Sequence, residues 1–453
     1  MTTIYLKPHK EESLKRFHPW VFSGAIERTS PQGVLRTATG SPIEQSSSPA
    51  QERENGFLRE GDLVCVKSHS GDVLGVGHWQ IGSIAVRILA FGVETLPADF
   101  WGERIRAAYQ VRESLGLVRN VKSQISNLRS PNNTFRLIHG EGDFLPGLIV
   151  DVYAETAVIQ AHSVGMHVSR NEIAEAVVAA VPQVKNVYYK SDDTLPFKAP
   201  IEGDRVGWLT TPPQGVLRTA TGSPIEQSSS PAQGREIEEF WSVENGLSFR
   251  IDWLRGQKTG FFIDQRENRA LVERYANGKE VLNMFCYTGG FSLYALRGGA
   301  KKVDSVDVSQ KAIDLVNVNV AKNFPNATNH TAVAADAFEY LTVQKTAGHT
   351  YDLIILDPPA FAKHRDAVKN ALRGYQRINA KAIEMIRPGG ILFTFSCSQA
   401  VDKEAFRLAV FSAAAQVGRK VRILHQLHQP QDHPINIYHP EGEYLKGLVL
   451  YVE

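Results

Sequence analysis

The run YDLIILDPPAF ends in Asp357, Pro358, Pro359 and Phe361, and the next apolar run, GGILFTFSCSQ, ends in Cys397. A lone cysteine is most often a small core residue. Here the apolar run stops abruptly and Ser396 and Ser398 flank the sulfur, which puts it at the rim of a strand end, where a thiolate can act as nucleophile. Two prolines fix the backbone and remove two amide donors, so they form a rigid lip beside which the Phe361 ring can stack on a flat base. A thiolate at such a lip suits addition to carbon 6 of a pyrimidine. That addition makes carbon 5 enamine-like and able to accept a methyl group, while Asp357 near ring nitrogen 3 shares a proton with the adduct.

A second set of residues predicts the methyl donor. In EVLNMFCYTGGFSLYALRGGA a strand ends near Tyr287, the turn Thr288, Gly289, Gly290 follows, and a helix runs from Phe291. Glycine lets the backbone approach a ligand closely, and the free amides of a helix N-terminus favour a carboxylate. The next strand, KVDSVDVS, ends in Asp307, 18 residues after Gly289, where an acid can take both ribose hydroxyls. HTAVAAD then ends in Asp336, placed for an adenine amino group. CYTGGFS lacks the third glycine of a dinucleotide fingerprint, which disfavours a pyrophosphate. The expected cofactor is S-adenosylmethionine, lined by Tyr287, Thr288, Gly289, Gly290, Asp307, Asp336, Asp357 and Pro358.

These features must sit on strand ends of one sheet, and the chain supplies one. From Trp241 onward, apolar strands alternate with helices, the pattern of a parallel sheet covered on both faces. Residues 241–453 are therefore expected to form a class I Rossmann-like methyltransferase domain of the seven-stranded type. Residues 1–94 hold short alternating segments such as GDLVCVKS and GDVLGVGHW, which predict a β-rich, barrel-like domain. Residues 95–240, with a helical stretch (DFWGERIRAAYQVRESLGL) before apolar strands and a second helix, predict a central mixed α/β domain and linker. One 21-residue segment, PQGVLRTATGSPIEQSSSPAQ, occurs unchanged at 31–51 and at 213–233. Its Ser, Pro and Gly content and its two distant copies predict loop insertions rather than stacking repeats.

Composition bounds the partners. At 453 residues, 43% apolar and 22% charged, the chain is globular and of more than one domain. A net charge of +2 excludes holding nucleic acid by bulk charge, so an RNA partner needs a local basic face. No apolar run reaches a membrane helix and the first residues lack a signal-peptide core, so a cytoplasmic location with no membrane contact is expected. The three cysteines, Cys65, Cys286 and Cys397, have no paired spacing, so neither a disulfide framework nor a metal is expected. Cys65 and Cys286 read as packing residues.

Six motifs in order carry a resemblance. LDPPAF resembles the (D/N)PP(Y/F) element of nucleic-acid methyltransferases. With GQKTGFFIDQREN (Gly256 to Asn268), NMFCYTGGFS, SVDVS, TFSCS and HPEGEYLKG, it resembles the large-subunit ribosomal RNA methyltransferase I family, whose members make 5-methylcytosine in 23S rRNA. KRFHPWVFSGAI (Lys15 to Ile26) looks like that family's RNA-binding PUA domain. The resemblance implies Cys397 as nucleophile and 23S ribosomal RNA as partner, with a homodimer left open. It also implies that Phe261, Asp264, Gln265 and Arg266 border cofactor and substrate, so that Gln265, Arg266, Pro359 and Phe361 are expected to meet the RNA. An ion pair is an equal alternative for Arg266. Ala360 departs from the many RNA cytosine methyltransferases that carry a second cysteine there. Two other readings stay open, an enzyme acting on an exocyclic base amine and an RNA-binding assembly factor with a vestigial cofactor pocket.

Overall fold

The computed structural model describes residues 1–30, 58–118, 132–196, 202–211, 240–362 and 365–453. The identical segments at 31–51 and 213–233 lie outside the described residues. The chain divides into two compact units, Met1–Glu239 with Trp253–Thr259 and Asp432–Gly442, and Phe240–Asp252 with Gly260–Gln431 and Glu443–Glu453. Among the described residues no helix is long and apolar enough to cross a membrane.

The first unit holds two sheets. Strands β1 (Thr2–Leu6), β2 (Trp20–Phe22), β3 (Ile26–Ser30), β4 (Leu63–Lys67), β5 (Val73–Trp79) and β6 (Ile84–Phe91) join in the order β2-β6-β5-β4-β1-β3. Their inward residues, among them Ile4, Leu6, Val64, Val66, Val86 and Ile88, form one core cluster. Strands β7 (Thr134–His139), β8 (Leu148–Tyr153), β9 (Thr156–Ala161), β10 (Asn186–Lys190) and β11 (Val206–Trp208) form the second sheet, covered by the helices Phe100–Ser114 and Arg170–Ala180. Buried ion pairs fasten the two segments that come from later in the chain. Arg112 grips Asp143 through both oxygens at 2.5 and 2.8 Å and donates to the Asp432 carbonyl at 2.8 Å. Arg136 grips Asp151 at 2.7 and 2.8 Å, and the same carboxylate accepts from Thr259 at 2.6 Å. Trp253 stacks on Tyr153 with ring centroids 6.1 Å apart.

The second unit opens with the hairpin β12 (Trp241–Glu244) and β13 (Leu247–Arg250). Its main sheet comprises β14 (Glu280–Met284), β15 (Lys302–Asp307), β16 (His330–Ala334), β17 (Tyr351–Leu356), β18 (Ile386–Ser396), β19 (Val421–His428) and β20 (Lys446–Val452). The order is β16-β15-β14-β17-β18-β20-β19, parallel except that β20 pairs antiparallel with both neighbours. Strands β14, β17 and the second half of β18 are buried along almost their whole length, as a parallel sheet clothed on both faces requires. Helix Val368–Met385 buries Ala371, Tyr375, Ile378, Ala382 and Ile383, one stripe at helical spacing, against that sheet. The order reverses between β14 and β17, and open α/β sheets bind ligands at such a switch point.

Two histidines make the fold acid-sensitive, His78 buried and His330 half-buried. Burial pushes His78 and His330 down to about 4, below their ordinary 6.5. A depressed histidine stabilises the fold fully above the unfolded value and loses that contribution as pH falls towards the folded value, by about 1.4 kcal/mol per pH unit and group. Denaturant unfolding at pH 7, 6 and 5 is therefore expected to show stability falling between pH 6.5 and 5. Replacing His330 by Gln should flatten the slope of the second unit, and an unchanged slope would contradict the assignment.

Candidate active site

The turn after β14 is shaped by its backbone. Phe285, Tyr287 and Gly289 have φ of 59°, 47° and 81°, so three alternate residues take the left-handed conformation. This ends the strand at Met284, three residues before the position read from the sequence, and starts the helix at Gly290 (Gly290–Arg297). Left-handed non-glycine residues cost about 1–3 kcal/mol each and persist where their surroundings over-determine them. Here the Tyr287 amide donates to Asp307 Oδ2 at 3.0 Å, the Gly289 amide to the Cys286 carbonyl at 2.8 Å, and Asn319 Nδ2 to the Thr288 carbonyl at 2.9 Å. Gly289 is required twice, by its φ and because a Cβ would meet Val316 at 3.1 Å.

A buried ion pair lies beneath this turn. Arg269 donates to both oxygens of Glu244 at 2.9 and 2.6 Å, and Tyr294 donates to Glu244 Oε1 at 3.0 Å. Arg269 also lies over the Phe261 ring, 4.7 Å from its centroid, and a Cβ on Gly290 would meet its Cδ at 2.9 Å. The pair thus fixes the first residue of the helix.

Asp307 and Asp336 end β15 and follow β16. Asp307 is half-buried, with one oxygen on the Tyr287 amide and the other on the Ser309 amide at 3.0 Å. Asp336 caps helix Ala337–Thr346, its Oδ1 accepting from the Phe338 and Glu339 amides at 2.9 and 3.1 Å. The donor set suits S-adenosylmethionine: amides at a helix start for a carboxylate, an acid with spare lone pairs for ribose hydroxyls, and a tight glycine turn between them.

The other half of the sheet edge carries Asp357 and Cys397. β17 and β18 are parallel neighbours in the register Leu356↔Thr394, so Asp357 is the first residue past one strand and Cys397 the first past the other. Gln265, buried, donates from Nε2 to Asp357 Oδ1 at 3.0 Å, and Asn268 Nδ2 holds the Gln265 oxygen at 2.7 Å. Pro358 is buried and Pro359 exposed, so one proline packs the lip and the other presents it. Phe361 is half-buried against Tyr375, with ring centroids 4.7 Å apart. Arg266 is 1% exposed with Nε on Glu267 at 3.2 Å, the arrangement of an ion pair rather than of a side chain reaching out from the surface.

Cys397 is half-buried, whereas Cys65 and Cys286 are buried, and burial raises both of their thiols. Two supporting residues, Tyr375 and Lys446, were not singled out from the sequence, and a third, Ser398, has a partner the sequence does not show. Tyr375, pushed up to about 12 by burial, accepts from Ser396 Oγ at 2.9 Å and lies within electrostatic reach of Cys397 and Asp357. Ser398 Oγ donates to the Ala362 carbonyl at 2.6 Å, tying the two strand ends together. Lys446, buried, donates to the Ser398 and Val401 carbonyls at 2.5 Å each; burial lowers its ammonium, and Cys397 heads the charges that oppose the shift. A lysine at the start of the apolar strand β20 is the signal for it.

Residues 224–438 match the family described as S-adenosylmethionine-dependent methyltransferase, and residues 4–91 match the PUA-like domain. A ribosomal RNA large subunit methyltransferase I from Shewanella frigidimarina is 38% identical over 449 residues, covering 98% of both chains. One from Photobacterium profundum is 35% identical over 455 residues, covering both chains completely. The chain belongs to the ribosomal RNA large subunit methyltransferase I family. Its cofactor is S-adenosylmethionine, and the expected pairing of a PUA-like domain with a Rossmann-like methyltransferase domain holds. Two solved structures share the fold over 100% of both chains at 20% identity: a methyltransferase crystallised with SAH, TM-score 0.73, and an S-adenosylmethionine-dependent methyltransferase from Streptococcus mutans, TM-score 0.72.

Replacing Glu244 by Ala strands a buried guanidinium and is expected to cost about 3–5 kcal/mol. Glu244→Gln, which keeps an acceptor, should cost less. Denaturant unfolding of the two variants checks the ranking, and equal losses would remove the ion pair from this role.

Proposed function

We propose that the chain methylates carbon 5 of a cytosine in large-subunit ribosomal RNA through a covalent adduct with Cys397. The observation that carries the reading is the adjacency of two strand ends, Cys397 after β18 and Asp357 after β17, with Asp357 held by Gln265. The names of the family's members support the RNA, and the PUA-like match supports an RNA-binding module.

S-adenosylmethionine, when bound, supplies an electrophilic methyl group. Gly289, Gly290, Asp307 and Asp336 orient it, with Tyr287, Thr288 and Pro358 closing the turn and the lip around it. The Cys397 thiolate adds to carbon 6 of the base, and the displaced ring electrons are taken up towards nitrogen 3, where Asp357 shares a proton. Lys446 favours the thiolate by its positive charge. Carbon 5 takes the methyl group and then loses its proton, which restores the 5,6 double bond and expels the thiolate. Ala360 has no group for that proton, so it leaves to another acceptor. Pro359 and Phe361 flank the base, and Gln265 sets the carboxylate that meets it.

RNA containing 5-fluorocytosine cannot lose a proton from carbon 5, so a covalent protein–RNA species is expected with the natural chain and none with Cys397→Ala. Methylation by Cys397→Ala at the natural rate would instead favour attack on an exocyclic amine, which needs no thiol. Gln265→Ala removes a hydrogen bond to a charged group, worth about 1.5–3 kcal/mol, so kcat should fall about ten-fold or more. Cofactor affinity should stay near its original value, and an unaffected kcat would separate Gln265 from the reaction.

A further inference from the structure

His18, His439 and Glu441 stand together in the first unit, whereas Asp357 and Cys397 belong to the second. One donor atom from each lies within 4.8 Å of the other two. Glu441 Oε1 is 3.9 Å from His18 Nε2, and Oε2 is 3.8 Å from His439 Nε2. These separations exceed a hydrogen bond, so the three groups gather without satisfying one another.

His439 is the telling member. It is 3% exposed, and neither of its ring nitrogens makes a hydrogen bond. Burying an imidazole without partners costs free energy that a native fold seldom leaves uncompensated. The ring is held firmly, edge-on to Trp20 at 4.3 Å, while Trp20 Nε1 donates to Glu141 Oε1 at 2.9 Å. His18 is also oriented, because its Nδ1 accepts from the Trp20 amide at 3.3 Å, which leaves Nε2 facing Glu441. A metal-bound histidine is commonly fixed in this way, through its second nitrogen.

We infer that His18, His439 and Glu441 bind a divalent transition-metal ion, zinc before others. Two imidazoles and a carboxylate match the donors of zinc sites, whose bonds of about 2.0–2.2 Å require only a small inward rotation from the present spacing. Three protein donors leave a tetrahedral ion one open position. The ion would clip the segment Asp432–Gly442 to the start of β2. The absence of a metal expected from cysteine spacing does not bear on this set, because its members come from opposite ends of the chain and contain no cysteine.

The test uses the full chain without a polyhistidine tag, stripped by chelator and titrated with zinc against a chromophoric competitor. One equivalent per chain is expected, with a visible d–d absorption when cobalt replaces zinc. Glu441 is exposed, so Glu441→Gln should fold normally, and it and His18→Gln should each weaken zinc by about ten-fold or more. Zinc should raise the melting temperature of the natural chain and not that of Glu441→Gln. Less than about half an equivalent bound, or one equivalent whose affinity neither variant changes, overturns the site.

Discussion

The buried pair of Glu244 and Arg269 is the constraint on which the cofactor side of the molecule rests. An ion pair with no water around it tolerates little displacement, because each charge depends on the other for its solvation. Arg269 is further held by the Phe262 carbonyl at 2.9 Å and by the Phe261 ring. The guanidinium therefore joins four pieces of chain: the β12–β13 hairpin, the segment before helix Arg266–Tyr275, that helix itself, and helix Gly290–Arg297. Gly290 sits against its stem. The left-handed turn that follows β14 is thus built on an electrostatic footing.

Much of this was legible in the sequence. Asp307, Asp357 and Cys397 each end or follow an apolar run, and β15, β17 and β18 stop where those runs stop. The seven-stranded Rossmann-like domain followed from the alternation of runs and helices, and the comparisons bear it out. The end of β14 lies three residues before Tyr287, since MFCY continues the run of large apolar and aromatic residues past Met284 and nothing in its composition signals that Phe285 turns left-handed. Tyr375 and the Gln265–Asn268 relay were invisible for another reason. Tyr375 shares helical spacing with ordinary core residues, and a polar relay depends on which side chains face each other across the fold.

The first unit shows how far tertiary contacts can outrun sequence order. Asp432 falls in sequence between β19 and β20, yet its carbonyl and carboxylate accept from Arg112 and from the Arg136 amide. No local pattern announces such a partnership. The ion pairs of Arg112 and Arg136 are buried, and that of Arg136 with Asp151 joins directly opposed residues of β7 and β8, so it favours their register.

The order of strands also acts as a ruler. Neighbouring strands stand about 4.7–4.9 Å apart, so the three steps from β15 through β14 and β17 to β18 span about 14 Å. That span separates the strand that ends in Asp307 from the strand that Cys397 follows. It is a length of molecular dimensions, set by backbone hydrogen bonding and not by any side chain. Side-chain substitutions at the edge can change what is recognised at either mark, but the spacing between the marks belongs to the sheet.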